Sequence, residues 1–162
     1  MRKFFIMGAA VALAACAPAA QETKVQEAAP IMQDGLITKQ SAHSVAVTID
    51  RLEAAAKGKG LNVFARINHQ DNAANMGLEM PGSTLLIFGN PKIGSPLMNA
   101  SPTVGLDLPV KALAYEKGGN VYLSYNDPAY LKTRHNIGAG GEKALMKMGG
   151  ALDGLTNHAV AE

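Results

Sequence analysis

Residues 109–126 read PVKALAYEKGGNVYLSYN. Gly118-Gly119 sits between two runs rich in Val, Leu, Ala and Tyr. A two-residue Gly-Gly loop supplies the positive φ angles of a tight hairpin turn, and the twist of that turn suits the flanking strands. Strands over Pro109–Lys117 and Asn120–Asn126 follow. Pro109 has no N–H to give a neighbour, so it stands only at a strand's start or edge. The hairpin fixes antiparallel pairing locally, and the rest of the chain has to be fitted to it.

Upstream, Ser83–Gly89 (STLLIFG) is apolar on both faces, the mark of a central strand, and Asn90-Pro91 breaks it. Ser95-Pro96 has the pattern of an N-cap followed by proline at the first helical position, which predicts a short helix through Asn99. Pro102 ends it. Leu61–His69 alternates Leu61, Val63, Ala65 and Ile67 against Asn62, Phe64, Arg66 and Asn68, a strand with one apolar face. A helical turn from Asp71 to Met76 is closed by Gly77. Ser44 is an N-cap, and Val45, Ile49, Leu52 and Ala56 form one stripe of an amphipathic helix. Gly58 and Gly60 stop that helix. Gly35–Gln40 is a first strand.

Downstream, Asp127-Pro128 repeats the cap pattern for a helix to about His135, and Asn136–Gly140 breaks it. A last helix over Gly141–Asn157 carries Leu145, Met148, Leu152 and Leu155 on one face. Gly149, Gly150 and Gly154 weaken it intrinsically and predict close packing against the sheet. Met98, Met146 and Met148 are read as core residues. This order predicts an α+β fold: one domain, a mainly antiparallel sheet, helices collected on one face.

The 162-residue length suits one domain. With 48% hydrophobic and 17% charged residues the chain is globular rather than disordered. Its formal excess of +2 comes from Arg2 and Lys3. Without residues 1–15, Lys plus Arg falls from 15 to 13, equal to the 13 acidic residues. A neutral surface offers no footprint for nucleic acid.

Residues 1–16 read MRKFFIMGAAVALAAC. A basic start, an apolar run from Phe4 to Leu13 and small residues after it make a secretory signal, too short for a spanning helix. Leu13-Ala14-Ala15-Cys16 resembles the lipobox of bacterial lipoproteins. That resemblance implies cleavage before Cys16, fatty acylation of its thiol and amine (palmitate-type chains), and stable membrane attachment through more than one chain. Ala17 stands where an Asp would resemble an inner-membrane retention signal, which favours a periplasm-facing outer-membrane address. Cys16 is the chain's one cysteine, so the mature domain has no disulfide and no thiolate for catalysis or metal binding. Residues 16–34 are rich in Ala, Pro, Gln and Glu and read as the lipidated residue and its tether. The domain is assigned to residues 35–158.

Two residue groups are candidates for chemistry. His69, Asp71, Asp107 and His135 would suit a divalent metal if the fold brought them together, since imidazole and carboxylate are zinc-type ligands. Lys111, Tyr125, Asn126 and Arg134, beside His135, could hold a small anionic ligand on the sheet's concave side. The Gly-rich GAGGEK at 138–143 lacks the spacing of a phosphate loop, and no Gly-x-Ser-x-Gly elbow exists. No catalytic residue is assigned.

The stretch LLIFGNPKIGSPLMNASPTVGLDLPVKALAYE at 85–116, with VFARINHQDNA upstream and VYLSYNDPAYLKTRH downstream, resembles the "domain of unknown function 302" family. Phe88–Pro91, Gly94–Met98 and Leu106–Pro109 are the most specific parts, and the resemblance covers about Gly35 to His158. It implies a curled antiparallel sheet on helices, similar in chain path to one TATA-binding-protein repeat. It brings no activity and no implication of DNA binding. The expected function is a lipid-anchored, non-enzymatic envelope module for a small ligand, metal or protein partner. The alternatives are a His/Asp enzyme, with or without a metal ion, and an envelope structural or assembly protein.

Overall fold

The computed structural model describes residues 31–33 and 35–162. The signal, Cys16 and most of the tether lie outside these residues. The strands are β1 (Ile31–Gln33), β2 (Leu36–Ser41), β3 (Asn62–Asn68), β4 (Ser83–Gly89), β5 (Val110–Lys117) and β6 (Asn120–Asn126). The helices are α1 (Val45–Gly58), α2 (His69–Ala74), α3 (Pro91–Ala100), α4 (Pro128–Arg134) and α5 (Ala139–Val160), with a 3-10 turn over Pro102–Leu106. The strands form one sheet in the order β1-β2-β6-β5-β4-β3, every neighbouring pair antiparallel. The fold is α+β.

The expected hairpin is present. Gly118 and Gly119 have φ of 59° and 80°, and Lys117 pairs with Asn120 across them. Register places Leu86, Phe88, Ala112, Ala114, Leu123 and Tyr125 on one face, all buried against the helices. The alternate residues Leu85, Ile87 and Leu113 are only partly buried. Ser44 caps α1, accepting from Val47 N, and the stripe Val45, Ile49, Leu52, Ala56 is buried. Helix α5 lies against α1 and α3 through Leu145, Met148, Leu152 and Leu155. Asp127 caps α4, its carboxylate accepting from Ala129 N at 2.9 Å.

Four expectations are corrected. Helix α3 starts at Pro91: Asn90 accepts from Lys92 N at 2.9 Å, and Pro96 lies inside the helix. The earlier Asn-Pro pair supplies the same capping chemistry, and burial of Leu97 holds the helix through the site of the missing N–H. In β3 the register shifts between Val63 and Ala65. This bulge leaves Val63 opposite Phe88 but sets Ala65 and Ile67 opposite Ile87 and Leu85. The single apolar face read from alternation is therefore split between the two sides, because a one-residue slip reverses every side chain.

Met146 and Met98 are exposed, 76% and 38%, whereas Met148 is buried. Two residues along a helix is more than half a turn, so Met146 faces away from the core. A Cβ added at Gly150 or Gly154 would meet nothing within 4 Å. The close approach is at Gly141, where a Cβ would overlap Ile137 Cγ2.

One buried charge ties sheet to helix. Lys39, 6% exposed, projects from β2 toward α5. Its Nζ donates to Asp153 Oδ1 at 2.7 Å, Thr156 Oγ1 at 2.9 Å and Asn157 Oδ1. A buried ammonium is tolerated where its protons are satisfied.

Candidate functional site

A cavity of about 200 Å³ lies where β4 gives way to α3. The Asn90 cap turns the chain directly from strand into helix, which sets Ile93, Gly94 and Met98 over the end of the sheet. Met148, Leu152 and Leu155 of α5 form a second wall, and Leu108, Pro109 and Val110 a third. The β3 bulge brings Phe64 into the lining beside Phe88. Among the lining residues only Asn90 and Ser95 carry polar side chains. Such walls offer dispersion and desolvation but nothing to replace the hydration of a charge, so they suit a small apolar molecule. Phe64 and Met98 are 53% and 38% exposed, an apolar rim that water covers poorly. At Gly94 a Cβ would stand 3.8 Å from Leu108 Cδ1 and Met98 Cε, so the missing side chain adds to the open volume.

A second, polar cluster surrounds Asp107, just after the 3-10 turn. Asp107 Oδ2 lies 2.6 Å from His135 Nε2 and 3.4 Å from Arg134 Nε. Its Oδ1 accepts from Asn126 Nδ2 at 3.3 Å. His135 Nδ1 is 3.0 Å from Thr103 Oγ1, and the His135 side chain is 4% exposed. The carboxylate orients the ring: with a proton on Nε2 facing Asp107, Nδ1 is left to accept from the Thr103 hydroxyl. Ser101 Oγ donates to the His135 carbonyl at 2.7 Å, closing the C-terminus of α4. The arrangement has the order hydroxyl, imidazole, carboxylate.

The structure thus brings together Asp107, His135, Asn126 and Arg134 and keeps Lys111 nearby, its Nζ donating to the Leu106 carbonyl at 3.1 Å. The cations and the amide are already spent on Asp107 and a backbone carbonyl, so the group is not an open anion pocket. Tyr125 does not join it. Register turns Tyr125 to the helix side, where it is 3% exposed and lies 5.9 Å below Lys39 Nζ. Burial pushes its phenol pKa up, opposed by a hydrogen bond with Thr156.

The four-residue metal set does not converge. His69 and Asp71 open α2 beside Asn68, which pairs with Thr84. Asp107 precedes β5, whose Val110 pairs with Phe88. Four residues of β4 separate these levels, roughly 13 Å at strand rise, and β3 and β5 stand on opposite sides of β4, roughly 10 Å apart, which together exceed the reach of two side chains to one ion. Asp71 is instead held by Asn68 Nδ2 at 2.7 Å. Among the described residues no three His, Cys, Asp or Glu side chains are grouped to hold a metal ion.

Sequence reasoning missed Thr103 and the cavity. Nothing in Ser-Pro-Thr-Val-Gly marks the hydroxyl, whose partner lies 32 residues on. The cavity left one trace in sequence, a glycine inside a helix at 94.

Comparison with known proteins agrees with this architecture. Fluoride-specific ion channel FluC 1 of Brucella suis biovar 1 (strain 1330) is 45% identical over 135 residues, 83% of this chain and 53% of that protein. FluC 1 of Brucella abortus biovar 1 (strain 9-941) matches at the same identity over 50% of its length. The chain spans about half the length of these curated relatives. Among the described residues no helix is long and apolar enough to cross a membrane. The crystal structure of an uncharacterized conserved DUF302 protein from Bacillus stearothermophilus superposes with a TM-score of 0.69 at 21% identity, covering 77% of this chain and 98% of that one. The DUF302 family model, "Domain of unknown function DUF302", matches residues 37–155, and the chain belongs to that family.

Proposed function

We propose that the protein is a lipid-anchored envelope module, facing the periplasm from the outer membrane, that binds a small apolar molecule without transforming it. The observation that carries the binding half is the cavity beside Gly94, with its almost wholly apolar lining. Cavities of about this size lined by Leu, Ile and Phe take up benzene-sized molecules. The anchor rests on the signal pattern of residues 1–16. It gains support from the Brucella relatives, in which a matching segment occupies half of a protein named as an ion channel. An ion channel works in a membrane, so a segment within such a protein is held beside one, as an acylated Cys16 would hold this domain. The name of those relatives describes whole proteins, about half of which this chain matches.

The test is to purify the acylated chain from its native host, extract it with organic solvent, and search the extract by mass spectrometry for a copurifying apolar molecule. A thermal-shift series with butylbenzene, hexanol and octanoate runs alongside. The expected result is a shift with the first two and little with the charged third. An empty extract together with no shift for any probe removes the binding assignment. An unmodified Cys16 removes the anchor.

A second reading draws on the Thr103–His135–Asp107 chain, which has the geometry to activate a hydroxyl. It predicts slow hydrolysis of nitrophenyl esters that disappears in H135A and in T103A alike. Equal rates in wild type and both variants would dismiss it.

A further inference from the structure

We propose that the loop between α2 and β4 rests on the bilayer that carries the Cys16 lipid, so that the cavity opens on the far side of the domain. This rests on the lipid-anchor reading above. The loop exposes three large apolar side chains in five residues: Met76 at 79%, Leu78 at 65% and Met80 at 37%. Single exposed hydrophobics are ordinary, whereas a cluster on one protrusion marks a contact surface.

The protrusion is braced. Leu78 N donates to the Ala73 carbonyl at 3.0 Å and Gly77 N to the Ala74 carbonyl at 2.9 Å. At the other end Glu116 N donates to the Gly82 carbonyl at 2.9 Å. Little order is left to lose on contact, which favours a surface already shaped for docking.

The occupant follows from where the chain enters the domain. Strand β1 runs from Ile31, opposite Thr38, to Gln33, opposite Leu36. It therefore comes from the sheet end that holds Ser41, Val121 and the Gly118-Gly119 hairpin. Glu116 and Gly82 join at that same end, so the apolar loop projects there too. Fifteen Cα steps separate Cys16 from Ile31, at most about 54 Å of chain. From β1 across to β4 is four strand spacings, roughly 19 Å. The anchor and the loop can thus meet one lipid surface together. Glu79 is the loop's one charged residue, so zwitterionic lipid suits it better than anionic lipid. The cavity lies past the other end of β4, six residue steps or roughly 20 Å away.

The chain has no Trp, so a single indole reports its own site. L78W and L106W replace two exposed residues, Leu106 being 75% exposed at the cavity end. Each acylated full-length variant from the native host is reconstituted into phosphatidylcholine–phosphatidylethanolamine vesicles with brominated acyl chains, and flotation is measured first. The expected result is blue-shifted emission for L78W, quenched several-fold more by the bromolipid than that of L106W. Floating protein with both indoles in water overturns the loop contact and leaves the anchor standing. Protein that stays at the bottom of the gradient overturns the anchor, and this proposal with it.

Discussion

Filling the cavity at Gly94 should make the protein more stable and less able to bind. In G94L the new Cβ makes ordinary contacts, 3.8 Å from Leu108 Cδ1 and Met98 Cε, and the other carbons extend into the open space. Replacing glycine within a helix contributes roughly 0.5–1 kcal/mol. Four carbons buried at about 0.8 kcal/mol each set a ceiling near 3 kcal/mol. The open mouth and the side chain's lost rotamer freedom reduce that ceiling, so a net gain of about 1–2 kcal/mol is expected. For a chain of this size that is a rise of roughly 3–6 °C in Tm.

Binding should move the opposite way. Ten ligand atoms at about 0.5 kcal/mol each give butylbenzene a Kd on the order of 0.2 mM in the wild type. At tenfold excess over Kd the ligand then stabilises the fold by about 1.4 kcal/mol. In G94L that increment should vanish. Differential scanning fluorimetry and urea unfolding, each with and without butylbenzene, measure both quantities. A G94L protein that still gains the full ligand increment, or that loses more than about 1 kcal/mol without ligand, refutes the reasoning. Either result would mean that the space beside Gly94 is not the binding volume.

Three further substitutions probe the polar framework. D153A removes the anionic partner of Lys39 but leaves Thr156, Asn157 and a carbonyl, so urea unfolding should show a loss of about 1–2 kcal/mol. K39M should cost less than D153A, because an apolar replacement of similar volume removes the buried charge itself. The D153A/K39M double variant should be no worse than K39M, and additive losses would contradict the pairing. The Tyr125 phenol has a raised pKa in the fold, so its contribution to stability is complete below the unfolded value of 10.0 and is lost as pH climbs through the folded value. Y125F should flatten the alkaline fall in urea midpoint, and an unchanged slope would refute the assignment. D107A strands a buried His135 nitrogen and should cost about 1–3 kcal/mol, read from the same urea curves. D107N, which keeps an acceptor, should recover part of that loss.

Much of the scaffold was legible because its signals are local. Gly118-Gly119, Ser44 and Asp127-Pro128 each act on backbone atoms within four residues, and each did what its chemistry dictates. The apolar stripes of α1 and α5 were legible for the same reason, periodicity being a property of a single helix. Met146, Gly150 and Gly154 depart from expectation because residue type does not fix position. Methionine does not always face a core, nor does glycine always mark a close approach. The β3 bulge was invisible in sequence, since strict alternation continues through it.

Sequence by itself determined the α+β class, the antiparallel hairpin, most element boundaries and the buried stripes of α1 and α5, because those follow from turn chemistry and from the period of apolar side chains. Tertiary structure decided the sites. It joined Thr103, Asp107 and His135, left His69 at the other end of a strand, turned Tyr125 inward, and opened a cavity beside Gly94. Each of these depends on which residue of one element faces which residue of another. That relation is set by register and packing between segments far apart in the chain, and no local pattern carries it.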